Sequence, residues 1–277
     1  MLTSIRSLLA ATALAGAALS AAPAMAQDAA DPAGPVTVSG SVAIVSDYRF
    51  RGVSQTDEEM AVQGGISVGH ESGLYVGTWA SNLAGWGTFG GSNMELDIYG
   101  GYAMPLGAAT LDVGVTWYMY PGGANDTDFA EPYVKLSSTL GPVEGLVGVA
   151  YAPKQQALGN YSATAFSRGQ KQDNVYIWTD VNSGIPNTPV TLKGHVGYSN
   201  GNPGLGPNGT SIAPTGEYFD WMLGADLAAG PLTLGIAYTD TDISRSDSAY
   251  LGSGFANSED GSSIAGSQVV FSVSAGF

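Results

Sequence analysis

Residues 36–51 read VTVSGSVAIVSDYRFR, and two sets of side chains separate along them. The even positions hold Val36, Val38, Gly40, Val42, Ile44, Ser46, Tyr48 and Phe50; the odd ones hold Thr37, Ser39, Ser41, Ala43, Val45, Asp47, Arg49 and Arg51. Successive side chains of a β-strand point to opposite faces. Read as a strand, this order gives one largely apolar face ending in two aromatics and one polar face ending in three charges. A helix would bury the two sets on overlapping faces. The stretch therefore predicts a single strand running through Arg51, wet on one side and greasy on the other.

The same division recurs down the chain. Met94, Leu96, Ile98, Gly100 and Tyr102 alternate with Glu95, Asp97, Tyr99 and Gly101; Leu111, Val113, Val115 and Trp117 alternate with Asp112, Gly114, Thr116 and Tyr118. Val190, Leu192, Gly194 and Val196 alternate with Thr191, Lys193, His195 and Gly197, and Phe219, Trp221, Leu223 and Ala225 with Asp220, Met222, Gly224 and Asp226. Weaker segments fall at 60–70, 74–82, 129–139, 143–152, 174–181 and 232–240, and a last one at 268–277. Together they predict twelve strands.

The connections between them alternate in length. Short ones lie at 71–73, 105–107, 141–142, 182–189 and 229–231; long ones lie at 52–59, 83–92, 121–128, 154–171, 201–217 and 242–267. Only 182–189 is intermediate. Bacterial transmembrane barrels have short periplasmic turns, long outer loops and an even strand number. A water-soluble sandwich has no reason to sort its loops this way. The expectation is an all-β fold, a transmembrane antiparallel up-and-down β-barrel, with both termini periplasmic.

Composition agrees. Charged residues are 12% of the 277, against roughly 25% in ordinary soluble domains. Leu8 to Leu19 form an apolar stretch behind Arg6, and Ala24-Met25-Ala26 gives a small-x-small pattern. This predicts a signal peptide over 1–26, cleaved before Gln27, and a single barrel domain over 27–277. No later apolar run is long enough for a membrane helix. Arg6 is the one base of the leader, so 27–277 carries eight bases against 24 acids. That balance argues against nucleic acid as a partner. There is no cysteine, hence no disulfide or thiolate metal site.

Outward aromatics are expected at strand ends: Tyr48, Phe50, Trp117, Tyr151, Tyr198, Phe219, Trp221 and Tyr238 beside long loops, Tyr102 and Phe277 at the opposite ends. Such rings favour the membrane interface. A chain ending on Phe277 with Ala275, Val273, Phe271 and Val269 on one face resembles the terminal strand of outer-membrane barrels. That resemblance implies recognition by the barrel-assembly machinery; lipid and lipopolysaccharide are the other implied partners.

Three runs carry a family resemblance: Ser46-Asp47-Tyr48-Arg49-Phe50-Arg51-Gly52 with Ser54, Gly73-Leu74-Tyr75-Val76-Gly77-Thr78-Trp79-Ala80-Ser81-Asn82, and Glu95-Leu96-Asp97-Ile98-Tyr99-Gly100-Gly101-Tyr102. They resemble the TorF-type porin family of proteobacterial outer-membrane proteins, most closely over 46–121. The resemblance implies a barrel and a pore, with no defined substrate.

Function then depends on the inward positions. The expected inward acids are Asp47, Glu95, Asp97, Asp112, Glu131, Asp180, Asp220 and Asp226; the bases are Arg49, Arg51, Lys135 and Lys193. An acidic water-filled lumen selects cations or neutral polar solutes. The competing expectation is that these charges pair across a filled barrel, leaving the long loops as the working surface. Arg49 and Arg51 are expected to tie Asp47 and a folded-in loop in place. Inward Tyr75, Trp79, Tyr99, Tyr118, Tyr120, Tyr133, Tyr176 and Trp178 either fill space or line a path for ring-bearing solutes. Enzyme chemistry is not expected: His70 falls in a short turn, and His195 has Gly197 where a phospholipase-type barrel has serine two residues on. Asn125, Asp126 and Asp128, or Asp240, Asp242 and Asp247, lack the spacing of a calcium loop. Neither cofactor nor metal is expected, and the sequence leaves oligomeric state open.

Overall fold

A computed structural model describes residues 35–159, 164–165, 167–204 and 211–277. The leader expected over 1–26, with its cleavage point, lies outside the described residues. Fourteen strands form among the described residues. Twelve of them close a barrel: β1 (Val36–Val45), β4 (Ala61–His70), β5 (Leu74–Asn82), β6 (Met94–Leu106), β7 (Ala109–Met119), β8 (Phe129–Leu140), β9 (Val143–Gln155), β10 (Gln172–Gly184), β11 (Val190–Gly201), β12 (Glu217–Ala229), β13 (Leu232–Thr241) and β14 (Gln268–Gly276). The other two, β2 (Arg49–Phe50) and β3 (Val53–Ser54), form a small separate hairpin.

Every barrel neighbour pairs antiparallel, each strand with the next in sequence. Closure comes from β1, which pairs β4 on one side and β14 on the other, so Val42 faces both Gly64 and Ala275. Closure leaves no unpaired edge, which lipid would otherwise penalise heavily. The long and short connections alternate as expected, and the intermediate one shortens to residues 185–189 because β10 runs on through Gly184.

Alternation places an apolar band outside. Val42, Ile66, Val76, Ile98, Val134, Ile177, Val196, Leu223, Ile236 and Phe271 are all exposed on the barrel wall. In water such a continuous apolar surface would drive aggregation; around a closed barrel it meets acyl chains. Tyr102, Trp117, Tyr151, Phe219, Tyr238 and Phe277 are likewise exposed at strand ends. This is the build of an outer-membrane barrel.

Inside, glycines make room for rings on the next strand. Gly148 of β9 faces Trp178 of β10 in register, and a β-carbon there would overlap the indole. That indole donates to Asp180 at 3.0 Å and stacks on Tyr176 with centroids 5.4 Å apart. Gly148→Ala is expected to cost about 1–3 kcal/mol, the usual penalty of overpacking a fixed interior. Urea unfolding in lipid vesicles checks it; an unchanged midpoint would show that the indole swings freely.

Candidate functional site

The first long connection determines the shape of the lumen. The strand predicted through Arg51 stops at Val45. Ser46 terminates it: its N–H donates to the Phe271 carbonyl and its Oγ accepts from the Phe271 N–H, both at 2.9 Å. The chain then turns into the barrel. Tyr48 and Phe50, expected on the lipid face, are buried inside at 3% and 9% exposure. This corrects the sequence reading. Apolar-polar alternation continued past the true strand end because a buried two-stranded hairpin alternates too.

The hairpin is built locally. Asp47 accepts from Arg49 Nε at 2.5 Å and from Ser54 Oγ at 2.6 Å, bridging its two arms. Tyr48 N–H donates to Thr56 Oγ1 at 3.0 Å. The turn is Arg51-Gly52, with φ of 49° and 79°. Two-residue hairpin turns of type I′ need positive φ at both central positions. Gly52 adopts this freely, whereas Arg51 does so at a cost of about 1 kcal/mol.

Contacts from the far wall hold Arg51 there. In ring order β9 stands diametrically opposite β1, and Arg51 reaches both neighbours of β9. Its Nη2 donates to the two oxygens of Glu131 on β8 at 2.7 and 2.8 Å. Its Nη1 donates to Asn174 Oδ1 on β10 at 2.9 Å, and the guanidinium lies 4.0 Å above the Tyr176 ring. Tyr218 of β12 donates to the Arg51 carbonyl at 3.0 Å. The hairpin therefore spans the lumen from the seam to the opposite wall.

A second set of contacts seals it from the long-loop end. Arg49 donates to the carbonyls of Gly52, Ile264 and Gly266 at 3.1, 2.9 and 3.0 Å, and pairs with Glu58 at 2.9 Å. Val53 packs with Leu251, Phe255 and Ile264 of the last long loop, and Trp86 meets Phe255 edge-on at 4.8 Å. Sequence reasoning missed this cap. Its apolar residues are scattered through a Ser- and Gly-rich segment and show no period.

Towards the short-turn end the lumen changes character. Ser39, Ser41, Ser67, Ser137 and Ser272 point inward and stay partly exposed. Four groups of ionisable side chains stand between the hairpin and this region, three of them acid–base pairings. Lys135 pairs with Asp112 at 2.9 Å, and Asp112 also accepts from Tyr75 at 2.6 Å. Lys193 pairs with Asp226 at 2.7 Å. His195 lies between Asp180 at 2.6 Å and Asp220 at 3.0 Å, with Tyr176 hydroxyl 2.8 Å from Nε2. Glu95 and Asp97 are the fourth group and have no base beside them among the described residues.

All twelve charged positions expected inward therefore lie inside the barrel, and each of the four bases is paired with an acid. Arg49 and Arg51 do join a folded-in loop to its surroundings, but from the loop itself and not from the wall strand on which the sequence placed them. The inward aromatics pair with one another and with lumen acids; Tyr118, for example, stacks on Phe129 at 4.6 Å and meets Phe50 at 6.0 Å. His70, expected in a short turn, is the exposed last residue of β4, 2.8 Å from Ser72 Oγ in the turn that follows. Among the described residues no three acids or histidines are placed to hold a metal ion.

A family model described as a bacterial protein of unknown function matches residues 29–277, the whole of the barrel. The chain belongs to the Gcw_chp family. No curated protein matches the sequence. Solved structures similar to this Gcw_chp member include a porin, with 12% identity, 87% of this chain and 100% of that chain covered, and a TM-score of 0.43. An outer membrane channel from Pseudomonas putida F1 gives 10% identity, 90% and 100% coverage, and 0.44. The outer-membrane-expressed OmpT of Vibrio cholerae gives 10%, 87% and 97%, and 0.40. In the Gcw_chp chain the Asp-Tyr-Arg-Phe-Arg-Gly run is the inward hairpin itself, so its most distinctive sequence is its lumen plug.

Proposed function

We infer that this barrel is a narrow diffusion channel of the bacterial outer membrane, passing small polar solutes with a preference for cations. The termini face the periplasm and the long loops face outward. The carrying observation is the unequal charge of the lumen at the hairpin: each base there is paired, while Glu95 and Asp97 remain as uncompensated acids. Fixed charge of one sign in a low-dielectric passage concentrates counter-ions and sets selectivity. The serine-lined short-turn half supports a wetted approach from below. The likeness of residues 46–121 to TorF-type porins points the same way. In this reading Asp47, Arg49, Arg51, Glu95, Asp97, Asp112, Glu131, Lys135, Asp180, Lys193, Asp220 and Asp226 line the route. Phe277 is what the assembly machinery reads, and the barrel does no catalysis.

Planar-bilayer recording tests it. Small unitary steps are expected, with a reversal potential of cation-selective sign in a potassium chloride gradient. Anion selectivity would remove the role given to the acids. The sealed hairpin favours a second reading, a closed barrel whose outer loops carry the function; silence at every salt concentration would establish that one instead.

A further inference from the structure

Outward aromatic rings are unevenly shared around the barrel. At the long-loop end β7 carries Trp117, β9 Tyr151, β11 Tyr198, β12 Phe219, β13 Tyr238 and β14 Phe271. From β7 round to β14 no two neighbouring strands both lack one. β1, β4, β5 and β6 are four neighbours in the ring and have none there; Ile44, Val62, Ala80 and Met94 stand in their place. At the short-turn end the outward rings are Tyr102 and Phe277, on β6 and over Gly40 of β1, the two edges of the same sector. Rings at strand ends suit the headgroup layer. A run of four strands without them at the long-loop end is not built to meet that layer.

The acids follow the same division. Asp128, Asp173, Glu217, Asp240 and Asp242 stand at the long-loop ends of β8, β10, β12 and β13. Three of them accept from the aromatic belt: Asp173 from Tyr151 hydroxyl at 2.9 Å, Glu217 from Tyr198 at 2.6 Å and Asp240 from Tyr238 at 3.0 Å. The sector's own edge is different. Asp57 and Glu58 bond into the cap, which leaves Glu59 exposed, and residues 83–93 between β5 and β6 hold no charge. Two copies of so acidic a chain repel least where these edges meet.

The sector also has a shape for packing. Val42, Gly64, Ala80 and Leu96 lie side by side across its four strands, so Gly64 and Ala80 form a low trough between larger neighbours. In lipid, close packing rather than the hydrophobic effect joins protein surfaces, and small residues permit it. Four tilted strands over the height of the apolar band offer about 600 Å² per copy, the lower end of what a specific interface needs.

We propose that the outward face of β1, β4, β5 and β6 is the contact for a second copy of this chain, in a two-fold dimer. A ring of three or more needs two different patches on each copy, a two-fold dimer only one. One such sector is present among the described residues. The contact is independent of whether the lumen conducts.

Thiol cross-linking tests it, because the chain has no cysteine of its own. Met60→Cys and Met94→Cys each place a thiol at the long-loop edge of the sector, at positions 60% and 39% exposed. Asn200→Cys places one on β11, across the barrel. In outer-membrane vesicles treated with a short bis-maleimide, a product of twice the chain mass is expected from Met60→Cys or Met94→Cys and not from Asn200→Cys. Ala80→Leu, added to the cross-linking variant, fills the trough and should cut the product by at least about tenfold, as overpacking a fitted surface does. Ala225→Leu makes the same change on the outward face of β12 and should leave the product unaltered. An unchanged urea midpoint shows that both leucine variants fold. Should Ala80→Leu not fold, the three thiol positions decide. No product from either sector thiol would mean that lipid covers this face, and a product of another mass that a different protein does. Equal product from Asn200→Cys, or indifference to a folded Ala80→Leu, would also overturn the dimer.

Discussion

Arg51→Ala is expected to destabilise the barrel by about 3–5 kcal/mol, the penalty for removing one partner of a buried ion pair. Both partners are nearly inaccessible, Arg51 at 1% and Glu131 at 3%. After the substitution Glu131 keeps only the 3.3 Å donation from Tyr118. Asn174 Oδ1 loses its donor as well, and the ring of Tyr176 loses its cation. Urea unfolding in lipid vesicles reads the loss directly. The double variant Arg51→Ala with Glu131→Ala should be clearly less destabilised than the two single losses added, because no charge is then left buried alone. Simple additivity would mean that the pair is not coupled. Arg51→Lys should recover only part of the loss, since an ammonium lacks the planar fork that serves Glu131 and Asn174 together. If the barrel conducts, Arg51→Ala also frees the hairpin tip and should enlarge the unitary step.

Val196→Arg is expected to cost about 2–4 kcal/mol, the penalty for a charge on the lipid face near the bilayer midplane. Val196 lies midway along β11, outward and 49% exposed, with Trp221 of β12 as its register partner. In a water-soluble barrel the same change would be nearly neutral, because an exposed arginine is well solvated there. Val196→Leu should change little in either setting. Vesicle-based unfolding separates the two, and a neutral Val196→Arg would contradict the membrane band.

Both variants bear on how much was legible beforehand. The band around Val196 follows from period-two alternation, and so do the twelve strands and the order of their loops. Weak segments such as 143–152 and 174–181 became regular strands, β9 and β10, once each had a neighbour on both sides. The inward placement of Glu95, Asp97, Asp112, Glu131 and Lys193 was equally readable, because a strand fixes side-chain direction by parity alone. What the charges do there was not readable. Whether Glu131 meets a base depends on a residue 80 positions earlier that arrives through a loop.

The amino-acid sequence by itself determined a closed twelve-stranded wall with an apolar outside and a charged inside. Those properties depend on each residue and its near neighbours, and a lipid-facing barrel repeats one local rule. Only the tertiary structure decided that residues 46–60 leave the wall. Tyr48 and Phe50 keep the strand's alternation while turning inward. The groups that hold the segment there, Glu95 on Tyr48 and Glu131, Asn174 and Tyr218 on Arg51, lie 47 to 167 positions away in the chain. No local pattern carries information over that distance. Partner choice across a lumen is settled by which side chains the closed ring brings face to face.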